Sequence, residues 1–292
     1  MLITITGKLG SGKSTICRGL SERCKFQVYS TGEIHRNLAN RMGLDTLALN
    51  KLMSGDSSYD RAIDDEVKRI ASECRDAALI FDSRLAWHFV ECSVKLFTTV
   101  DPVVAAQRVF KAPRGDEERY ADIDDALANL KLRARLERDR FKGIYGVDYY
   151  DYSNFDLIVD TTWLEPELLV SLIVSEASKI DCSQPPKSEI LISPKSLYPT
   201  REAHEGGLPP EDNFRSEPLE VFCQDGYHFV VGDNTPLAAA QEANLPFVFA
   251  RLAASPVPGR LQGLNLGLVA KAQARGDFRY ASLPDAYKTP GQ

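Results

Sequence analysis

The sequence contains no run of eighteen or more apolar residues, so no segment of it reads as a helix able to cross a bilayer. It has no overall excess of positive charge. The net charge of −6 excludes a whole-chain polyanion binder but leaves room for a local basic pocket. The cysteines Cys17, Cys24, Cys74, Cys92, Cys182 and Cys223 form no CxxC pair and no zinc-ligand spacing. They are expected as isolated residues in a reducing cytoplasm rather than as a disulfide framework. No charged segment with a small-residue cleavage site opens the sequence, since Met1 is followed at once by Leu2-Ile3-Thr4-Ile5-Thr6. A secretory signal is therefore not expected, and a cytoplasmic location is. No internal repeat is present.

What is there suits a soluble globular chain: 43% hydrophobic and 26% charged residues over a length of 292, enough for two domains. Short apolar runs alternate with longer helical patterns at the start. Strands are predicted at Leu2–Thr6, Phe26–Tyr29, Ala78–Phe81, Val94–Thr99 and Leu157–Val159. Helices are predicted at Ser14–Arg23, from the second strand through Arg41, at Asp60–Arg75, from Asp101-Pro102 onward and at Glu165–Lys179. Strands alternating with helices imply an α/β domain with a parallel sheet covered on both faces. The polar, twice-proline segment 181–189 reads as a linker. Beyond it the texture becomes α+β, with strands at Ile190–Ile192, Leu219–Phe222, His228–Val231 and Phe247–Ala250 and a helix at Pro236–Ala243. The expected division is 1–180, a linker at 181–189, and a second domain over 190–292 with a frayed end from about Pro284.

Gly7-Lys8-Leu9-Gly10-Ser11-Gly12-Lys13-Ser14 fits GxxxxGK[ST], with an apolar strand before it and a helix after it. Glycines let the backbone curl until successive N–H groups point at phosphate oxygens, and the helix start adds its positive dipole end. Gly7, Gly10, Ser11, Gly12, Lys13, Ser14 and Thr15 are therefore the expected ATP-binding residues. Lys13 is expected to reach the β- and γ-phosphates, and Ser14 to ligate Mg²⁺. The motif does not say what receives the phosphate.

Further along come Thr31-Gly32-Glu33-Ile34-His35-Arg36, Gly43-Leu44-Asp45, Asp60-Arg61-Ala62-Ile63-Asp64 and Phe81-Asp82-Ser83-Arg84-Leu85-Ala86. Ile144-Tyr145-Gly146-Val147-Asp148 and Phe155-Asp156-Leu157-Ile158-Val159-Asp160-Thr161 follow. In this order and spacing, residues 1 to about 180 resemble the archaeal-type cytidylate kinases. The resemblance implies a P-loop NTPase three-layer fold with a parallel sheet and a helical lid, followed here by a smaller C-terminal α+β domain. It implies a nucleoside monophosphate kinase acting on CMP or dCMP with ATP and Mg²⁺. The family pattern has glycine where this chain has Ser83.

The chemistry of such an acceptor agrees. A monophosphate needs arginines able to form paired hydrogen bonds. Arg36 and Arg84 each follow a predicted strand, on the side where open α/β sheets bind ligands. Thr31 and Gly32 are expected beside the acceptor, Thr31 either facing the base or sugar or serving as a helix cap. Ser30 and Glu33 also fit a capping box. Asp82, ending an apolar run, is the expected second Mg²⁺ residue, through water. Between Arg108 and Lys142 lie ten Lys/Arg and eight Asp/Glu, a balance that suits a solvated helix better than a nucleic-acid surface. Within it Arg133, Glu137 and Arg140 share one helical face. Cytidylate kinases carry a similar row on the lid, which implies that Arg133 and Arg140 close over the phosphates while Glu137 helps hold the substrate. Lys13, Arg84, Arg133 and Arg140 are thus the expected catalytic set. Arg108, Arg114 and Arg119 are further arginines of this segment without an assigned rank. His35, His88 and the tyrosines at 145, 149, 150 and 152 read as packing residues.

Residues 190 to about 260 resemble, less strongly, the ParB/sulfiredoxin-like superfamily. The resemblance is carried by Ile190-Leu191-Ile192-Ser193-Pro194 through Pro199, by Pro218–Phe222 and Gly226–Val231, and by Leu237–Pro246. Its usual phosphate-binding box is replaced by Gly232-Asp233-Asn234-Thr235-Pro236, so no nucleotide turnover is expected there. Asp225, His228 and Asp233 form only a thin polar group. The partner expected for the whole chain is a small nucleotide, with no membrane, and with nucleic acid reached at most through the second domain. Oligomeric state is open. Two alternatives remain: a kinase of another small acceptor, and a nucleotide-dependent switch controlling the second domain's binding to DNA or protein.

Overall fold

A computed structural model describes residues 1–32, 42–44, 58–74, 78–112, 120–200, 215, 217–224 and 226–253. Glu33, His35, Arg36, Arg114, Arg119, Asp225 and the segment from Pro284 lie outside the described residues, as does the helix expected up to Arg41. The chain divides into two compact units: residues 1–161 with 165–188, and residues 162–164 with 189–292.

The first unit is built on β1 (Leu2–Gly7), β2 (Gln27–Ser30), β3 (Leu79–Asp82), β4 (Val94–Thr99) and β5 (Leu157–Asp160). All pair in parallel, in the order β2-β3-β1-β4-β5. The central strand β1 is buried at every position, which is why it reads as a near-continuous apolar run rather than an alternating one. Around the sheet lie α1 (Lys13–Cys24), α2 (Ser58–Glu73), the one-turn α3 (Ala86–Phe89), α4 (Pro102–Lys111), α5 (Ile123–Tyr145) and α6 (Pro166–Ala177). Leu2, Val67, Ala71, Leu79, Phe81, Ala86 and Val90 form one core cluster. Val100, Ala105, Ala106, Ala126 and Leu130 form another, packing α4 on α5.

Local chemistry sets the helix ends. Asp101 accepts from the N–H groups of Val103 and Val104, and Pro102 occupies the first turn of α4, where its missing N–H costs nothing. Asp122 caps α5 by accepting from Asp125 N–H, and Gly146 ends that helix at φ 72°. The charged stretch 108–142 is therefore not one helix. α4 stops at Lys111, and α5, which carries the Arg–Glu–Arg row, starts afresh at Ile123.

One expectation is corrected. Cys92 and Cys182 form a disulfide, although they lie 90 residues apart in sequence. Their spacing gave no sign of it, because the pairing depends on the tertiary fold alone: Cys92 precedes β4 and Cys182 follows α6. Cys17, Cys24, Cys74 and Cys223 are free thiols, and burial pushes the Cys17 thiol up to about 12. Residues near the end of the first unit are tied to it by side chains: Ser188 donates from Oγ to Tyr152 O at 3.0 Å and from N–H to Phe155 O at 3.1 Å.

The second unit holds β6 (Glu189–Ile192), β7 (Leu197–Pro199), β8 (Leu219–Gln224), β9 (Tyr227–Val230), α7 (Thr235–Glu242) and β10 (Val248–Leu252). β6 and β8 flank β10, antiparallel and parallel respectively. β8 then pairs antiparallel with β9, and β9 parallel with β7. Gln241 Nε2 donates to Pro194 O at 3.0 Å, fastening α7 to the turn after β6. Asp233 accepts from Thr235 N–H and Oγ at the start of α7, and His228 is buried within β9. Two members of the thin polar group are thus a helix-start residue and a strand residue facing the core. No described helix is long and apolar enough to cross a membrane.

Candidate active site at the carboxyl ends of the parallel strands

The turn between β1 and α1 curls through Gly10 at φ 75° and Gly12 at φ 76°, left-handed conformations that glycine adopts without strain. Lys8 N–H donates to Thr98 O at 2.9 Å. Ser11 Oγ donates to Lys8 O at 2.7 Å and lies 2.7 Å from Thr98 Oγ1, which in turn donates to Thr6 O at 3.2 Å. The Ser11 side chain is therefore buried and directed inward, where it braces the loop against β4. Gly12 is the N-cap of α1 with no side-chain cap, and the first turn holds no acidic residue. Its leading N–H groups, together with the helix dipole, favour an anion at that end. Lys13 and Thr15 are half-buried on this first turn, and Ser14 is exposed.

Gly7 sits at φ 149°, and a Cβ there would lie 2.2 Å from both Thr98 O and Thr98 Oγ1. Gly7→Ala is expected to destabilise the protein by about 3 kcal/mol or more, through backbone strain and displacement of β4. Denaturant unfolding checks this, and an unchanged midpoint would contradict it.

β3 delivers the next group. Asp82 pairs in register with Ile5 and Ser30, at the carboxyl ends of three neighbouring strands. Thr31 Oγ1 donates to Asp82 O at 3.3 Å, so this hydroxyl pins the end of β3. Cys17, one turn into α1, feels the charges of both Asp82 and Lys13, which puts the carboxylate close to the phosphate loop. Ser14 and Asp82 are hard oxygen donors of the kind Mg²⁺ takes, with room left for water. At Ser83 the backbone is not left-handed and glycine is not required; its Oγ instead accepts from Leu85 N–H at 3.3 Å.

Arg84 is fixed through its backbone: Thr6 Oγ1 and Trp87 Nε1 both donate to Arg84 O, at 3.1 and 3.0 Å. Its Nε donates to Glu137 Oε2 at 2.9 Å. Arg133 Nε lies 3.4 Å from Glu137 Oε1, one helical turn away, and Tyr149 OH donates to Glu137 Oε2 at 3.2 Å. Burial alone would push the Glu137 carboxyl up. The charges of Arg84 and Arg133, then that of Lys13, hold it at about 2 instead. The Lys13 contribution brings the phosphate loop, the end of β3 and the lid helix α5 into one electrostatic neighbourhood. Burial works against the Arg84 charge, but Glu137 more than offsets it and keeps the guanidinium ionised.

Arg140 lies farther along α5, its Nη2 3.8 Å from Asp60 Oδ1 on α2. Arg108 is used elsewhere, donating to Thr161 Oγ1 at 3.0 Å and Thr161 O at 2.6 Å at the end of β5. Gly32 is exposed just after Thr31. The sequence missed Tyr149, read as packing, although its hydroxyl orients Glu137. It also missed Asp64, which accepts a hydrogen bond from Tyr145 OH. The spacing of Asp60 and Asp64 at i and i+4 was the only available signal.

Burial pushes the Asp64 carboxyl up to about 6, against the lowering bond from Tyr145, and the neighbouring Asp60 adds to the rise. In the unfolded chain the group titrates near 3.9. Between roughly pH 4 and 6 the folded state therefore binds more protons than the unfolded one, so this group makes stability fall as pH rises through that window. Asp64→Asn removes the effect. The unfolding temperature of the variant relative to the parent should rise by about 2–4 °C between pH 4 and pH 7, for about 1 kcal/mol after allowance for partial exposure. A flat difference across that range would refute the assignment.

Residues 2–163 match the cytidylate kinase-like family. Similar proteins include the cytidylate kinase of Sulfolobus acidocaldarius, 33% identical over 61% of this chain and 95% of the relative. That of Methanothrix thermoacetophila is 34% identical over 55% of this chain and 88% of the relative. That of Haloarcula marismortui is 34% identical over 59% and 86%. A glycine loop opening α1, an acid and an arginine closing β3, and an arginine–glutamate row on the lid stand in one folded unit over that span, and the chain belongs to the cytidylate kinase-like family.

Proposed function

We propose that the first unit is a nucleoside monophosphate kinase that transfers the γ-phosphoryl group of ATP to CMP or dCMP. The observation that carries this reading is the Arg84–Glu137–Arg133 cluster within electrostatic reach of Lys13. A site that only held a nucleoside triphosphate would need the loop and Lys13. Arginines aimed at the same place from β3 and from the lid suit a second phosphate.

In this reading Gly7, Gly10, Ser11, Gly12, Lys13, Ser14 and Thr15 hold ATP, with Ser11 acting by bracing the loop. Lys13 draws charge from the β- and γ-phosphates. Ser14 and Asp82 would hold Mg²⁺, which would supply positive charge to offset that of the phosphates. Thr31, Gly32, Arg36, Arg84 and Glu137 form the acceptor side, Arg84 gripping its phosphate. Arg133 and Arg140 come down with α5 to stabilise charge on the transferred oxygens and to exclude water. There is no covalent step for the protein. The acceptor phosphate oxygen attacks the γ-phosphorus, the bond to the β-phosphate oxygen breaks, and ADP leaves.

The first domain is taken as residues 1–180, with 181–189 as the connection and 190–292 as a ParB/sulfiredoxin-like domain that has lost its phosphate-binding box. A binding or regulatory role suits that domain better than turnover. Cytoplasmic residence remains part of the proposal. The test is ADP formation from ATP–Mg²⁺ with CMP, dCMP, UMP, AMP, GMP and dTMP. Stimulation by CMP or dCMP above the others is the expected result. Equal, slow hydrolysis whatever is added would overturn the kinase reading in favour of a nucleotide-driven switch.

A further inference from the structure

The phosphate chemistry does not use the Cys92–Cys182 bond. Cys92 stands just before β4, at the amino ends of the parallel strands. The phosphate loop packs on Thr98, roughly 20 Å farther along β4 at about 3.3 Å per residue. The two sides of the bond are held differently. Cys92 lies in a turn that is fastened without it: Val90 N–H donates to Ala86 O at 2.8 Å, and Ser93 Oγ donates to Val90 O at 3.1 Å and lies 3.4 Å from Thr4 Oγ1 on β1. Cys182 lies in the segment by which the chain leaves α6. There Lys179 bonds to Glu176, and Ser183 and Gln184 bond to Asp181. Among the described residues, no hydrogen bond of 178–187 reaches beyond that segment and α6. The next tie to the rest of the unit is Ser188, on Tyr152 and Phe155. The disulfide is therefore the fastening of a stretch that is otherwise braced only locally.

Both sulfurs are within reach of small thiols, since Cys92 is exposed and Cys182 half-buried. A disulfide that solvent thiols can reach exchanges with them, whereas one sealed in a core persists. The two Cα atoms stand 5.3 Å apart, inside the range a disulfide spans without backbone movement. We infer that Cys92 and Cys182 form a reversible redox latch on the exit segment of the first unit, closed by small-molecule disulfides and opened by small-molecule thiols. In closing, the thiolate of one cysteine attacks the external disulfide and releases one small thiol. The thiolate of the other then displaces the second small thiol from the mixed disulfide. Two electrons and two protons pass from the cysteine pair to the external disulfide. The loop so closed contains β4, α4, α5, β5 and α6, and closing it restricts the unfolded chain far more than the folded one. The latch acts on the persistence of the fold that carries the lid helix and on the freedom of residues 178–187, at the opposite strand ends from the site. It does not depend on the kinase reading.

The test equilibrates the folded full chain in buffers of graded reduced and oxidised glutathione, quenches exchange with acid and counts thiols in denaturant. The closed form should show the four free cysteines, and the open form all six. Both forms should be populated across the series, with mass spectrometry placing the bond at Cys92–Cys182. Closing the latch should raise the unfolding temperature by about 10 °C. It should also slow tryptic cleavage after Lys179 and Lys187 by at least about tenfold, because cleavage follows the open population of a segment. Cys92→Ser should match the open form in both readouts and ignore the glutathione ratio. If that variant does not fold, the parent reduced and capped with iodoacetamide supplies the same comparison. Six thiols in every buffer would mean that the pair never closes, and four that excess thiol leaves unchanged would make it a fixed staple; either result overturns the inference. Equal melting and equal cleavage of the two forms would overturn it as well.

Discussion

Lys13→Ala is expected to lower phosphoryl transfer by about a thousandfold or more while leaving the unfolding temperature nearly unchanged. The loop that carries Lys13 is held by other groups: Ser11 and Thr98 through their hydroxyls, Lys8 through its backbone, and the two left-handed glycines. None of these involves the ammonium of Lys13, which is half-exposed on the first turn of α1. What the variant removes is positive charge where negative charge gathers during transfer. Steady-state kinetics beside a thermal melt separate the two effects. Activity within a few-fold of the parent would remove Lys13 from the mechanism, and a collapsed melting curve would give it a structural role.

The second large effect falls on the Arg84–Glu137 pair. Arg84→Ala should reduce kcat/KM by roughly a thousandfold, comparable to loss of an arginine that stabilises a transferring phosphoryl group. It should also destabilise the fold by about 1–2 kcal/mol, less than breaking a fully buried ion pair, because the two side chains are 23% and 19% exposed and Arg133 still faces the Glu137 carboxylate. Glu137→Gln keeps the shape and removes the charge. It should cost less stability and leave Arg84 able to reach a phosphate. In the double variant the losses should fall short of their sum by about 1–3 kcal/mol, the signature of groups that act together. Strict additivity would mean that the pair, though 2.9 Å apart, is not coupled. The sign of the pH response follows as well. A carboxyl held at about 2 contributes stability that is complete above the unfolded value near 4.3 and is lost progressively as pH falls from there through about 2. Glu137 therefore places no titration in the activity profile near neutrality.

The parts of this site that the sequence made legible are those whose chemistry is local. The β1–α1 turn is such a case, because three glycines, a lysine and a serine at fixed spacing have one common structural use. The Arg133–Glu137–Arg140 row is another, since helical periodicity alone puts these residues on one face. The roles that depend on distant neighbours were not legible. Ser11 reads as a phosphate residue in the motif, yet its hydroxyl is committed to Thr98, 87 positions away. Tyr149 reads as one of four clustered tyrosines, and only the return of the chain beneath α5 sets its hydroxyl on Glu137. Asp60 reads as one charge among many on an amphipathic helix; its burial is set by the tertiary fold. The Cys92–Cys182 pairing depends on two loops brought together by the sheet and α6. In the second unit four strands were readable as short apolar runs, but β7 and the inward position of His228 were not.

The central claim is direct phosphoryl transfer between nucleotides, and following the label from γ-labelled ATP tests it most directly. Incubated with the full chain, Mg²⁺ and CMP, the label should appear in CDP, with little inorganic phosphate while CMP is present. Label released only as inorganic phosphate, at a rate indifferent to CMP, would contradict the account.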